Sequence, residues 1–62
     1  MPHIQITLIS GRTLEQKRKV VERITQALVE EIGTSRESVI VTMIEVPRSN
    51  VGKAGILAID RQ

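Results

Sequence analysis

The sequence contains no cysteine and no phenylalanine, tyrosine or tryptophan, and His3 is its only histidine. Without cysteine, neither a disulfide nor a thiolate cluster can stabilise the fold, and a single imidazole cannot build a metal site alone. A domain of 62 residues buries only about 60% of the surface that its unfolded chain exposes. Because the usual means of stabilising a small fold are missing, we expect residues 1–62 to form one domain that is a subunit of a homo-oligomer.

The charge balance is only mildly basic, with nine Lys and Arg against seven Asp and Glu and a net charge of +2. The densest basic run, residues 17–19, spreads around a predicted helix and alternates with Glu15 and Glu22 at ion-pairing distance, which favours a solvated surface over a phosphate-binding patch. The first residues lack the basic and apolar regions of a signal peptide, and no apolar run reaches the roughly 18 residues of a membrane span. We therefore expect a cytoplasmic protein with neither nucleic acid nor a membrane as a partner.

Two segments have the patterns of β-strands. Residues 3–9 alternate, with Ile4, Ile6 and Leu8 on one side of a half-buried strand. Residues 39–46 are β-branched or apolar at nearly every position, which is typical of a strand covered on both faces. A helical segment lies between them, so the order predicts an α/β fold made of a single right-handed β-α-β unit with parallel strands.

The helix between the strands has clear signals at both ends. Thr13 and Gln16 have the spacing of a capping box, in which each side chain accepts a hydrogen bond from the backbone amide of the other residue. Gly33 is a candidate C-terminal cap, so the helix is predicted from about Leu14 to Ile32. Its predicted apolar stripe consists of Val20, Val21, Ile24, Ala27, Leu28 and Ile32.

One helix can cover only one face of a two-stranded sheet. The other face would contact water in a monomer, so we expect it to pack against another copy of the chain. Pro47 ends the second strand, and the turn residues 52–55 predict a short C-terminal hairpin with residues 56–58 that reaches onto a neighbour.

Pro2 is the candidate for chemistry that the residues themselves suggest. Removal of Met1 before a small residue would expose the secondary amine of Pro2 as the chain terminus. Apolar neighbours and arginines would disfavour the ammonium form and lower its pKa, which suits a general base. The alternative is that Pro2 only begins an edge strand, where a missing backbone donor has no cost. If Met1 is retained, Pro2 is an amide nitrogen and has no basicity.

The whole chain resembles the 4-oxalocrotonate tautomerase family. The resemblance is carried by Pro2, the first strand, the Gly-Arg-Thr-x-Glu-Gln-Lys segment at 11–17, the long helix and the Gly-Lys-Ala-Gly segment at 52–55. It implies a β-α-β subunit in a hexamer, a trimer of dimers, that ketonises dienols or shifts protons next to a carbonyl without a cofactor. By this resemblance Pro2 corresponds to the catalytic proline. Arg12 corresponds to an arginine that binds a substrate carboxylate from a neighbouring subunit, a role that suits a planar bidentate donor.

Two positions depart from the pattern of that family. Ile40 stands where the resemblance implies a second arginine that binds the other carboxylate and polarises the carbonyl oxygen, and Val51 stands where it implies a large aromatic pocket residue. Arg48 or Lys53 could supply a cation in place of the second arginine. Each could also be a solvated loop charge, and we favour this second interpretation.

These observations lead to one leading hypothesis and two alternatives. The leading hypothesis is a cofactor-independent isomerase of the 2-hydroxymuconate tautomerase type, with Pro2 as base and acid and Arg12 as the carboxylate anchor. The first alternative is a non-catalytic or promiscuous member of the same family that acts as a scaffold or partner subunit, which remains open because position 40 carries an isoleucine. The second is a DNA-binding dimer of the ribbon-helix-helix type, which requires a second helix in place of residues 39–46.

Overall fold

The computed structural model describes residues 2–61, which form one β-α-β unit followed by a C-terminal hairpin. The long elements are β1 (His3–Ile9), α1 (Leu14–Ile32) and β2 (Ile40–Val46). The hairpin consists of β3 (Gly52–Lys53) and β4 (Ile56–Leu57), and short 3-10 turns cover Arg36–Ser38, Arg48–Asn50 and Ala58–Asp60. β1 and β2 are parallel, and β3 and β4 are antiparallel. The predicted fold is confirmed, and the second helix of the ribbon-helix-helix alternative is absent because β2 occupies that segment.

The helix begins and ends at the predicted residues for the predicted reasons. The Thr13 amide donates to Gln16 Oε1 at 2.9 Å, and the Gln16 amide donates to Thr13 Oγ1 at 3.1 Å, so both halves of the capping box are formed. Gly33 has a φ of 71°, and its amide donates to the carbonyl of Val29. The left-handed conformation of Gly33 satisfies a helix carbonyl and turns the chain back toward the sheet.

The register of the parallel strands decides which side chains share a face. Ile4 lies beside Val41, Ile6 beside Met43 and Leu8 beside Glu45, on the face that α1 covers. Lys17 of α1 forms an ion pair with Glu45 and so ties the beginning of the helix to the end of β2. The opposite face, which we call the open face, carries these residues: His3, Gln5, Thr7, Ile9, Ile40, Thr42, Ile44 and Val46.

Four details of the sequence-based description were wrong. The hairpin turn is limited to residues 54–55, because Gly52 and Lys53 form β3, and Ala58 begins a 3-10 turn instead of extending β4. β2 begins at Ile40, since Val39 closes the preceding 3-10 turn. The apolar stripe of α1 is only partly covered, because Ile32 at its end remains 62% exposed while Thr25, a residue outside the predicted stripe, is buried. Glu22 pairs with Arg36 of the following turn and not with a helix cation, because the chain after α1 folds back beside it.

The single chain has no closed core. Among residues 2–61 no apolar side chain is buried, and on the open face Ile40 and Ile44 are about 40% exposed. The accessible surface is 4864 Å², about a fifth above the roughly 4000 Å² expected of a folded monomer of this mass. The radius of gyration is 14.7 Å, whereas a compact chain of this length would have about 10.6 Å. The single chain is therefore less compact, and exposes more surface, than is expected of a stable monomer of this size. No helix within residues 2–61 has the length and apolarity required to cross a membrane.

Candidate functional site

Pro2 and Ile40 lie together at one end of the parallel sheet. The amide of Ile40 donates to the carbonyl of Pro2 at 3.0 Å, which extends the β1–β2 pairing by one residue. Pro2 is half-buried, and Ile40 is exposed beside it on the open face. Met1, whose removal would create the amine of Pro2, lies outside the described residues.

A polar pair stands next to this end of the sheet and was not singled out from the sequence. His3 Nε2 and Thr42 Oγ1 are 2.9 Å apart on the open face. His3 is also the register partner of Ile40. The strand alternation of residues 3–9 placed His3 on this side of the sheet, but its partner became identifiable only when the register of β2 was known.

Arg12 lies at the opposite end of β1, in the connection to α1. The preceding residue, Gly11, has a φ of 122°, a conformation that glycine tolerates and that turns the chain from the strand into the helix. An apolar cavity of about 90 Å³ adjoins Arg12 and is lined by Ile6, Leu8, Arg12, Gln16, Lys17, Val20 and Met43. Within residues 2–61 Lys17 is paired with Glu45, whereas Arg12 has no acidic partner. Arg12 is therefore a cation that can accept an anion from outside its own chain.

Pro2 and Arg12 of one chain do not form one site. They flank the seven residues of β1, and at about 3.3 Å per residue the strand separates them by roughly 20 Å. A small carboxylate cannot span that distance. A site containing both residues therefore requires Pro2 from one copy of the chain and Arg12 from another, as the family resemblance implied.

Arg48, Val51 and Lys53 belong to the C-terminal segment. Arg48 Nη2 donates to the carbonyls of Ala58 at 2.6 Å and Arg61 at 3.3 Å. Val51 is half-buried, and its carbonyl accepts a hydrogen bond from the amide of Ala58 at 2.7 Å. Arg61 Nη2 donates to the carbonyl of Lys53 at 3.0 Å. The guanidinium of Arg48 is thus directed at its own chain.

A larger open groove of about 490 Å³ runs along α1. It is lined by Leu14, Lys17, Arg18, Val21, Glu22, Thr25 and Arg36. Arg36 donates to Gln26 and Glu22 at 2.6 Å each, and Lys17 is held by Glu45. Two of its three basic side chains are therefore neutralised within the chain, and none of the residues singled out as catalytic lines this groove.

Residues 2–60 match the model of a protein family described as tautomerase enzyme. The chain is 48% identical over 58 residues to 2-hydroxymuconate tautomerase from Pseudomonas putida, a match that covers 94% of this chain and 92% of that one. It is 45% identical over 58 residues, with the same coverage, to 2-hydroxymuconate tautomerase from Comamonas testosteroni. The solved structure of a 4-oxalocrotonate tautomerase isozyme from Methylibium petroleiphilum is 47% identical and superposes with a TM-score of 0.89, covering 97% of this chain and 100% of that one.

Proposed function

Because this chain belongs to the tautomerase family and is an isomerase, we propose that it moves a proton within an enol or unsaturated keto acid of the 2-hydroxymuconate type, with Pro2 as the general base and acid. The observation that carries the proposal is the position of Pro2. It is the residue before β1, half-buried beside an isoleucine, where removal of Met1 would leave a secondary amine. The relatives named 2-hydroxymuconate tautomerase support this substrate class.

The proposed reaction needs one group that first accepts and then donates a proton. The neutral amine of Pro2 takes the proton of the substrate hydroxyl, and the electron pair of that O–H bond forms the carbonyl. The dienol electrons shift along the conjugated chain, and carbon receives the proton from the protonated amine. An amine whose pKa lies near the working pH performs both steps efficiently.

Arg12 of a neighbouring copy is the proposed anchor for the substrate carboxylate. Its guanidinium offers two parallel N–H donors to a carboxylate. The proposal is supported by the absence of an acidic partner for Arg12 within residues 2–61 and by the length of β1 that separates it from Pro2 of its own chain. Ile40 and Val51 would form apolar walls of the pocket, and backbone amides or a cation not yet identified would stabilise the enolate oxygen.

The proposal requires an assembly, and we infer a hexamer built as a trimer of dimers from one-domain subunits spanning residues 1–62. The open face provides apolar surface for subunit contacts, since Ile44 remains exposed in the single chain. A hexamer would bring Arg12 of one subunit to Pro2 of another and would remove this surface from water.

The test compares two forms of the same protein, one with Met1 removed and one with Met1 retained. We expect only the processed form to ketonise 2-hydroxymuconate, with a rate that rises with pH through a midpoint below the ordinary α-amino value of about 8. The rate should rise with pH because the neutral amine is the base. The midpoint should lie below the ordinary value because desolvation disfavours the ammonium form. Intact mass identifies each form, while circular dichroism and native mass spectrometry control for folding and assembly. Equal rates for the two forms would show that the amine is not the base.

A further inference from the structure

The C-terminal segment is held in place by two arginines that the proposed chemistry does not use. We propose that Arg48, assisted by Arg61, is a positioning residue that braces the hairpin carrying Val51 against the end of the chain. This inference rests on the proposed function, because Val51 matters to activity only if it lines the substrate pocket. The brace itself is a set of hydrogen bonds that can be measured without substrate.

The side chain of Arg48 connects two parts of the chain by hydrogen bonds. The residue lies in the turn after β2, and its Nη2 donates to the carbonyls of Ala58 and Arg61 at the far end of the hairpin. A guanidinium is suited to this role because it keeps its charge and presents several donors in a fixed plane. The contact joins segments that are ten and thirteen residues apart in sequence.

The contact of Arg48 with Ala58 reaches Val51 through one further hydrogen bond. The carbonyl of Ala58 accepts from Arg48, and its amide donates to the carbonyl of Val51 at 2.7 Å. Holding Ala58 therefore holds the backbone of Val51. This arrangement also explains what Arg48 does, since its Nη2 donates to carbonyls of its own chain.

Arg61 forms a further hydrogen bond at the turn of the hairpin. Its Nη2 donates to the carbonyl of Lys53, immediately before a turn in which Ala54 has a φ of 54° and Gly55 a φ of 80°. Two positive φ values suit the right-handed twist of a two-residue hairpin, but an alanine is disfavoured in that conformation. The turn is thus held partly by contacts from outside it, and Arg61 supplies one of them.

The experiment uses the processed, assembled protein and the variants Arg48→Met, Arg48→Lys and Arg61→Met. Arg23→Met is the matched control, because Arg23 is an exposed helix residue outside the site. The first measurement is hydrogen exchange of the Ala58 amide. We expect the exchange to become about tenfold faster or more in Arg48→Met. The local opening that exposes this amide would no longer have to break the hydrogen bonds of the Arg48 guanidinium. The exchange should stay unchanged in Arg23→Met.

The second measurement is kcat/KM on the enol acid that the processed wild type converts. We expect Arg48→Met to lower it by about 10- to 100-fold, as a misplaced pocket wall does, with the midpoint of the pH–rate profile unchanged. Arg48→Lys should recover only part of the loss, because an ammonium is a point charge without the planar fork. Arg61→Met should show a smaller effect in both measurements.

The outcomes separate this inference from the proposed function. Unchanged exchange at Ala58 in Arg48→Met would overturn the brace, whatever the activity. Faster exchange with unchanged kcat/KM would overturn the positioning role. A large loss of kcat with a shifted pH midpoint and unchanged exchange would mean that Arg48 acts as a cation in the pocket. If the processed wild type itself converts no enol acid, the proposed function fails, and the exchange data still decide whether the brace exists.

Discussion

At the scale of single residues, the proposed site consists of Pro2 and Arg12, and neither residue could complete it within its own chain. Arg12 adjoins an apolar cavity and has no acidic partner within the part of the chain that the structure describes. Pro2 lies at the other end of β1 with Ile40. Substitutions of Arg12 and of Ile40 test the two ends of β1 separately.

Replacing Arg12 by Ala should raise KM for a carboxylate substrate and lower kcat/KM by about 10- to 150-fold, the equivalent of the ~1.5 to 3 kcal/mol of a hydrogen bond to a charged group. The reason is that the proposed bidentate anchor for the substrate carboxylate would be lost. Steady-state kinetics with Arg23→Ala as the matched control checks this, since Arg23 is an exposed arginine of α1. If kcat/KM is the same in both variants, Arg12 is only a surface charge.

Replacing Ile40 by Arg should shift preference from monocarboxylate toward dicarboxylate substrates. Ile40 is 41% exposed on the open face beside Pro2, so a longer cationic side chain need not enter the space under α1. The measurement is the ratio of kcat/KM for a dicarboxylate and a monocarboxylate enol. Ile40→Met controls for side-chain length without charge. A shift toward monocarboxylates would contradict the placement of residue 40 at the pocket.

At the scale of elements, the beginning of α1 connects helix stability to the site. Thr13 caps the helix and directly follows Arg12, while Lys17, one turn later, is paired with Glu45 of β2. The first turn of the helix is therefore anchored both by local backbone bonds and by the sheet.

Replacing Thr13 by Ala should lower the free energy of unfolding by about 1 kcal/mol, because the Gln16 amide loses its acceptor. Chemical denaturation followed by circular dichroism measures this, and the protein concentration must be held constant because the stability of an oligomer depends on it. Thr13→Ser retains the hydroxyl and should remain close to the wild type. Equal destabilisation by Ala and Ser would show that the methyl group of Thr13, and not the cap, matters.

At the scale of the whole molecule, the decisive feature is the surface that the chain leaves exposed. The radius of gyration and the accessible surface both exceed those of a compact monomer. Apolar residues of the open face and of the hairpin, such as Ile44 and Ile56, remain exposed. Their burial between subunits is the simplest way for this fold to become stable.

Replacing Ile44 by Asp should dissociate the proposed hexamer into smaller species, because a carboxylate would be buried without a partner at the centre of the open face. Native mass spectrometry at micromolar concentration gives the result directly. Lys19→Asp is the control, since it adds the same carboxylate to the exposed side of α1. A monomeric wild type, or an intact Ile44→Asp hexamer, would contradict burial of the open face between subunits.

Local sequence patterns were sufficient to predict the long elements and both ends of α1, although the start of β2 and the end of β4 were each placed one residue away. The alternation of Ile4, Ile6 and Leu8 and the Thr13–Gln16 capping box predicted β1 and the start of α1, and Gly33 predicted its end. These features depend on periodicity and on hydrogen bonds between residues a few positions apart, so they can be recognised without knowledge of the fold.

Contacts between distant residues could be identified only from the folded chain. The pairing of Glu22 with Arg36, the burial of Thr25 and the clamp of Arg48 on Ala58 depend on the path of the chain after α1 and β2. The separation of Pro2 from Arg12 likewise follows from the extended geometry of β1 between them. Such contacts join residues distant in sequence, where many partners have compatible chemistry and only the register and the turns select one.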